Sequence, residues 1–278
     1  MPTMPLISVL TAVHRAGAGF LTEAIESVRT QQLPTGWELE WVVQEDGPRS
    51  DLVDAFEKHA GWVRYSANGQ RLGIGPTRNH ALSRASGSLI QVLDADDLLL
   101  PHAIATLVQA FDDPAIHWAV GQADDLLPDG SRKSFPPYLP LGRVAPGLVN
   151  SWAEDQGGNW PIHCAGLMMR AASLRAVGGW GGAPFDDDLI MFAALSEVTD
   201  GWAEEEITWL YRQHPAQATR DPHWREWGDT GRRIALQRMR AVRSAKLRID
   251  EASDADTVSV SVKPPMKSAI KVDDHEPE

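Results

Sequence analysis

The sequence predicts an α/β fold: a single Rossmann-like, mostly parallel sheet with helices on both faces, followed by a C-terminal helix. Three observations predict it. Strand-like and helix-like patterns alternate as β-α-β-α-β-α-β from residue 6 to residue 93, joined by short links. That alternation gives parallel strands connected by right-handed crossovers. Residues 89–93, LIQVL, are almost continuously apolar, as in a strand covered on both faces. Finally, Asp94, Asp96 and Asp97 follow that strand directly, at the C-terminal edge where open α/β sheets bind ligands.

Taken in order, residues 6–12 form the first strand, and a turn with Gly17 and Gly19 leads into a helix. Leu21, Ala24, Ile25 and Val28 line one face of that helix. Residues 37–43, WELEWVV, give the second strand, which runs into the polar turn Gln44-Glu45-Asp46-Gly47. A helix over 51–60 and a short strand over 62–66 follow. The loop 68–75 carries three glycines and opens a helix over 76–85, with Pro76 in its first turn where proline is favourable. After the acidic cluster come a helix over 101–111, a strand over 116–122 and a hairpin over 124–134 turning at Pro128-Asp129-Gly130. Residues 136–160 are rich in Pro, Gly and Trp and have no period, which predicts an acceptor wall or lid. Residues 163–170 read as a buried strand and 171–177 as a short helix stopped by Gly178 and Gly179. A second acidic triplet, Asp186-Asp187-Asp188, opens an apolar helix, and 207–211 is a last strand before the polar loop 212–220.

Composition sets bounds on function. The chain has 278 residues, 43% hydrophobic and 23% charged, as expected of a globular domain with a sizeable core. Its single cysteine, Cys164, excludes a disulfide framework or a multi-thiolate metal site within the chain. With no recognisable signal peptide or anchor, a cytoplasmic location is expected. Net charge is −12, and the acidic body argues against nucleic-acid binding. Residues 229–248 reverse the sign, with seven Lys and Arg against one Asp. They predict a basic helical extension over 221–248 that packs on the domain or makes weak peripheral contact with an anionic membrane. Residues 249–278 hold eight acids and three lysines with little apolar mass, and a disordered tail is expected.

The acids carry the chemistry. Three carboxylates in four residues repel one another unless a cation compensates, and Mg²⁺ or Mn²⁺ carrying a diphosphate is the natural partner. The bland alternative is an Asp-rich turn capping the next helix. For Asp186–188 it is an acidic helix start favoured by the macrodipole.

Four segments in order resemble the family-2 inverting glycosyltransferases of the GT-A fold: AIESV at 24–28, VVQEDG at 42–47, GIGPTRNHAL at 73–82 and LDADDLLLP at 93–101. The resemblance spans about 5–220, and implies a nucleotide-sugar half over 5–125 and an acceptor half over 126–220. It implies transfer of a sugar from a nucleotide diphosphate donor to an acceptor hydroxyl of a small molecule, glycan or lipid-linked chain. Thr11, Asp46, Arg78, Asp94 and Arg212 would bind the donor, and Asp94, Asp96 and His214 would hold Mn²⁺ or Mg²⁺. The family's catalytic Glu-Asp pair falls on the acidic triplet, so the general base is Asp188 or, one residue earlier in register, Asp187. The turn departs from the family in having Glu45 before Asp46. Trp152 and Trp160 read either as packed residues or as rings that stack on a sugar face, and His163 either as a satisfied core histidine or as a functional one. The competing readings are a non-catalytic nucleotide-sugar binding protein and a DxD phosphatase with Asp94 as nucleophile. Against the latter, the acids follow the fourth strand rather than the first.

Overall fold

The computed structural model describes residues 4–49, 52–252 and 260–262. The chain begins with β1 (Leu6–Val13), α1 (Leu21–Arg29), β2 (Glu38–Glu45), α2 (Leu52–Glu57), β3 (Val63–Ala67), α3 (Ile74–Arg84) and β4 (Leu89–Val92). It continues with β5 (Leu98–Leu99), α4 (Ala103–Val108), β6 (Ile116–Leu126), β7 (Arg132–Lys133), β8 (Gly142–Val144) and α5 (Leu148–Asp155). The last part holds β9 (Met168–Arg170), α6 (Ala171–Ala176), α7 (Asp187–Val198), β10 (Asp200–Arg212), α8 (Pro222–Ser244), β11 (Leu247–Ile249) and β12 (Val260–Val262).

One sheet organises the described residues, in the order β3-β2-β1-β4-β9-β6-β10-β5, with β7 beside β6 and β8 beside β10. The block β3-β2-β1-β4 is parallel, as is the β6-β10 pair. β9 joins them, antiparallel to both β4 and β6. Alternate strand residues feed two cores. Ile7, Val9, Trp41, Val43 and Leu89 pack under α1, α2 and α4, whereas Leu10, Val42, Ile90 and Val92 pack under α3 and the α5–α8 layer. This two-sided burial explains the unbroken apolar runs, each fully buried aliphatic side chain contributing about 1.5–3 kcal/mol.

Three local readings need correction. Residues 163–170 are mostly not strand: a 3-10 turn occupies Cys164–Gly166, and only Met168–Arg170 pairs. Gly166 is one cause, since a Cβ there would lie 2.2 Å from Trp209 Nε1. The aperiodic stretch 136–160 contains β8 and α5, the latter starting after Gly147 in left-handed conformation at φ 81°. The disorder expected of 249–278 falls largely outside the described residues, but Val260–Val262 pair with Leu247–Ile249.

The basic extension is the helix α8, begun by Asp221, whose carboxylate accepts from the His223 amide at 2.8 Å, and by Pro222. Ala235 and Met239 are buried in the core beneath it. Much of its charge is matched internally. Arg240 and Arg243 reach Glu154 at 3.1 and 2.7 Å, Arg243 also reaches Glu197 at 2.8 Å, and Arg238 donates to the Val177 carbonyl. Such pairing lowers the charge left for a membrane surface. No helix among the described residues is long and apolar enough to cross a membrane.

Candidate active site

The two acidic clusters meet at one arginine. Arg78 projects from α3 and is buried; it donates to Asp94 at the end of β4 and, at 3.1 Å, to Asp187 at the start of α7. Burial works against its charge, but Asp94, Asp187 and Asp188 together hold it more firmly cationic than usual. The approach of α3 to α7 depends on Gly75. A Cβ at that position would lie 2.3 Å from the Gly181 carbonyl oxygen and 3.0 Å from Asp187 Cβ.

The triplet separates into three environments. Asp186 sits in the left-handed region at φ 59°, a conformation that Asp tolerates better than most residues. Its carboxylate lies 3.7 Å from Arg232 of α8, and burial, aided by Asp188, pushes its pKa up to about 6. Asp187 is buried, which raises its pKa to about 7 against the pull of Arg78. Asp188 is half-exposed and is not ion-paired among the described residues; its Oδ1 accepts from the Leu189 amide at 2.8 Å. Of the two candidates for the base, Asp187 is committed to Arg78 and Asp188 is open.

The cluster after β4 also divides. Asp97 turns inward, 1% exposed, accepting from the Arg212 amide at 2.9 Å, and burial followed by the charges of Asp96 and Asp94 raises its pKa well above the ordinary range. Asp94 and Asp96 stay partly exposed. Asp96 Oδ2 lies 2.8 Å from His214 Nε2, and Arg212 donates to the Asp96 carbonyl at 2.8 Å and to Glu23 at 2.9 Å. Phe20 backs both residues, its ring 4.5 Å from that of His214 and 4.9 Å from the Arg212 guanidinium carbon. The structure therefore brings Arg78, Asp94, Asp96, Asp187, Arg212 and His214 into one network.

The described residues contain no group of three or more His, Cys, Asp or Glu arranged to hold a metal. The expected set of Asp94, Asp96 and His214 is corrected in that respect, because Arg78 occupies Asp94. Asp96 and His214 alone fit a small divalent cation, since adjacent ligands at about 2.1 Å from Mg²⁺ stand about 3 Å apart and diphosphate oxygens commonly complete its shell.

Two donor-side expectations are altered. Thr11 is fully buried, its hydroxyl donating to the Leu93 carbonyl at 2.7 Å and accepting from Trp41 Nε1 at 2.9 Å, so it pins β1 to the sheet and meets no solvent. Asp46 braces the glycine-rich loop, accepting from the Leu72 and Gly73 amides at 2.6 and 3.1 Å. Sequence reasoning missed Asn68, which links Gln44, Asp46, Thr77 and His80, and also Phe20, Glu23 and Gln217. The only sequence signal for Asn68 is its place at the head of the glycine-rich loop. His163 lies against Tyr211 and Trp209, with ring centroids 4.9 and 5.8 Å apart.

Residues 8–139 match the model of Glycosyl transferase family 2. A glycosyltransferase of Methanocaldococcus jannaschii is 31% identical over 101 residues, 35% of this chain and 34% of its own. A GalNAc(5)-diNAcBac-PP-undecaprenol beta-1,3-glucosyltransferase of Campylobacter jejuni is 31% identical over 119 residues, 41% of this chain and 37% of its own. The chain thus spans little more than a third of the length of these two relatives. Among solved structures, S. aureus TarS 1-349 in complex with UDP-GlcNAc superposes with a TM-score of 0.62 at 16% identity, over 77% of this chain and 60% of that one. At that identity the likeness concerns the fold, a central sheet flanked by helices as in GT-A transferases. The acidic strand end thus lies within the stretch 8–139 that is similar to glycosyl transferase family 2, on a fold like that of GT-A transferases.

Proposed function

We propose that the protein is a metal-dependent inverting glycosyltransferase that moves a sugar from a nucleoside diphosphate donor to an acceptor hydroxyl, with Asp188 as general base. The observation that carries this reading is the division of labour at Arg78: it pairs with Asp187 and Asp94 and leaves Asp188 partly exposed beside them. A base must be within reach of solvent-borne substrate, and the partly exposed Asp188 meets that demand better than its buried, Arg78-paired neighbour. Asp188 takes the proton of the acceptor hydroxyl as its oxygen bonds to the anomeric carbon, and the bond from that carbon to the diphosphate breaks with the electron pair leaving on the diphosphate. Attack opposite the leaving group inverts the configuration. Asp96 and His214 would hold the divalent ion, Mn²⁺ or Mg²⁺, which when bound supplies positive charge against the leaving diphosphate. Arg212 stands behind them as a fixed cation. The S. aureus neighbours carry UDP and UDP-GlcNAc, and the C. jejuni relative is named for a lipid-linked glycan, which supports a nucleotide-sugar donor.

Titration calorimetry with UDP, GDP and dTDP, each with and without Mn²⁺, tests the reading. At least one should bind, and more tightly with the metal. Binding of none removes the donor assignment, and equal affinity with and without Mn²⁺ removes the metal.

A further inference from the structure

A cleft of about 470 Å³ opens between β6, β10 and the 135–163 segment. Trp209 and Tyr211 line it from β10, and Tyr138, Trp152, Trp160 and His163 line it from the segment opposite. Some rings are held in place: Trp160 Nε1 donates to Asn150 Oδ1 at 2.9 Å, and His163, Trp209 and Tyr211 pack against one another. Others are open, since Tyr138 is 62% and Phe135 38% exposed. Exposed aromatic side chains, Phe135 and Tyr138, gathered with core-anchored Trp160 and Trp209 round one cavity mark a binding surface.

The polar groups lining the cleft are as informative. They include Gln122, Asp125 and Gln213, and among the described residues no Lys or Arg lines it. The cleft also abuts the acidic network. Tyr211 lines it, while the next residue, Arg212, holds Asp96 and Asp97. A molecule seated there lies beside the cluster proposed to take the donor's diphosphate.

A pyranose ring has an apolar face that stacks on aromatic rings and an edge of hydroxyls that bond to amides and carboxylates. A phosphate in the same place would meet the Asp125 carboxylate with no lining cation to offset it. We propose that this cleft is the acceptor subsite and that the group it holds is an uncharged sugar, stacked on Tyr138 and Trp152 with hydroxyls bonded to Asp125 and Gln122. This rests on the transferase reading and adds the chemical class of the acceptor.

The test uses the full chain, with saturation-transfer NMR on methyl glucoside, methyl galactoside, methyl N-acetylglucosaminide and cellobiose, against glucose 1-phosphate as the charged probe. Each is measured with and without UDP, whose own binding is followed by calorimetry. At least one neutral probe should bind, with affinity reduced about tenfold in Tyr138→Ala and in Asp125→Asn. UDP affinity should stay within about twofold in both variants, as neither residue belongs to the donor network. Tyr138 is exposed enough that its truncation leaves the core untouched. The proposal is overturned if no neutral probe binds, if both variants bind the sugar as wild type does, or if glucose 1-phosphate displaces the neutral sugar at lower concentration. Loss of UDP binding by wild type is a separate result that removes the donor reading, and the titrations without UDP then still decide the sugar site.

Discussion

Asp187 and Asp188 show how much one position along a helix matters. The two residues are adjacent, yet one faces Arg78 from the interior and the other reaches solvent. Asp188→Asn should therefore lower turnover by about 10²-fold or more and leave donor affinity within a few-fold, as measured by kcat against nucleotide Kd. Asp187→Asn should act differently. It leaves a buried guanidinium short of a partner, so a fall in melting temperature and weaker donor binding should appear together. If Asp187→Asn abolishes turnover at unchanged stability while Asp188→Asn is active, the roles are exchanged. Asp96→Ala should abolish the Mn²⁺-dependent part of nucleotide affinity without lowering stability, because it relieves repulsion with Asp94 and Asp97; unchanged affinity in Mn²⁺ would remove Asp96 as a ligand. The sequence made both acidic clusters visible through their places at a strand end and a helix start. It left the choice between Asp187 and Asp188 open, because that depends on which residue of α7 points at a side chain 109 positions away.

Elements with one strong period were legible, and those set by tertiary contact were not. β1 to β4 and the intervening helices lie within a few residues of their expected limits, since burial on two faces writes itself into unbroken apolar runs. α5 escaped notice because its start is a left-handed glycine and its length only eight residues. The 163–170 segment has the apolar content of a strand but is bent into a 3-10 turn by its fit against Trp209. Thr11 and Asp46 were placed in the correct strand and turn, yet their hydroxyl and carboxylate serve the scaffold. Packing of α3 on α7 can be tested at Gly75. Gly75→Ala puts a methyl group against the Gly181 carbonyl, and the resulting separation should cost about 1–3 kcal/mol in urea unfolding. It should also weaken nucleotide binding by loosening Arg78 from Asp187. Full stability in that variant would mean the two helices shift apart freely.

The stability of the whole molecule carries a pH signature from groups far apart. His117 is 1% exposed, bonded to the Ser173 hydroxyl at 2.7 Å, and burial, with the nearby Arg170 charge, lowers its pKa to about 4. The unfolded chain takes up this proton at about pH 6.5, so stability is lost as pH falls from about 6.5 to 4, by up to about 3 kcal/mol. Asp186 and Asp187 act with the opposite sign. Their raised values mean the folded protein holds protons the unfolded chain releases, so their contribution declines as pH rises from about 4 to 7. Unfolding of wild type and His117→Gln at pH 7 and pH 4.5 separates the two effects, and any advantage of the wild type at pH 7 should shrink or reverse at pH 4.5. A constant difference would show that His117 does not titrate in this range. The position of β9 has another consequence, in the order of synthesis. Residues 168–170 fill the gap between β4 and β6, and β6 finds its other long partner only in residues 200–212. A nascent chain that has emerged only as far as residue 139 therefore carries a four-stranded block whose β4 margin is unpaired and a separate ribbon that cannot yet join it. Until residues 168–170 emerge the β4 margin is open to neighbouring chains, and one side of β6 stays open until residues 200–212 follow.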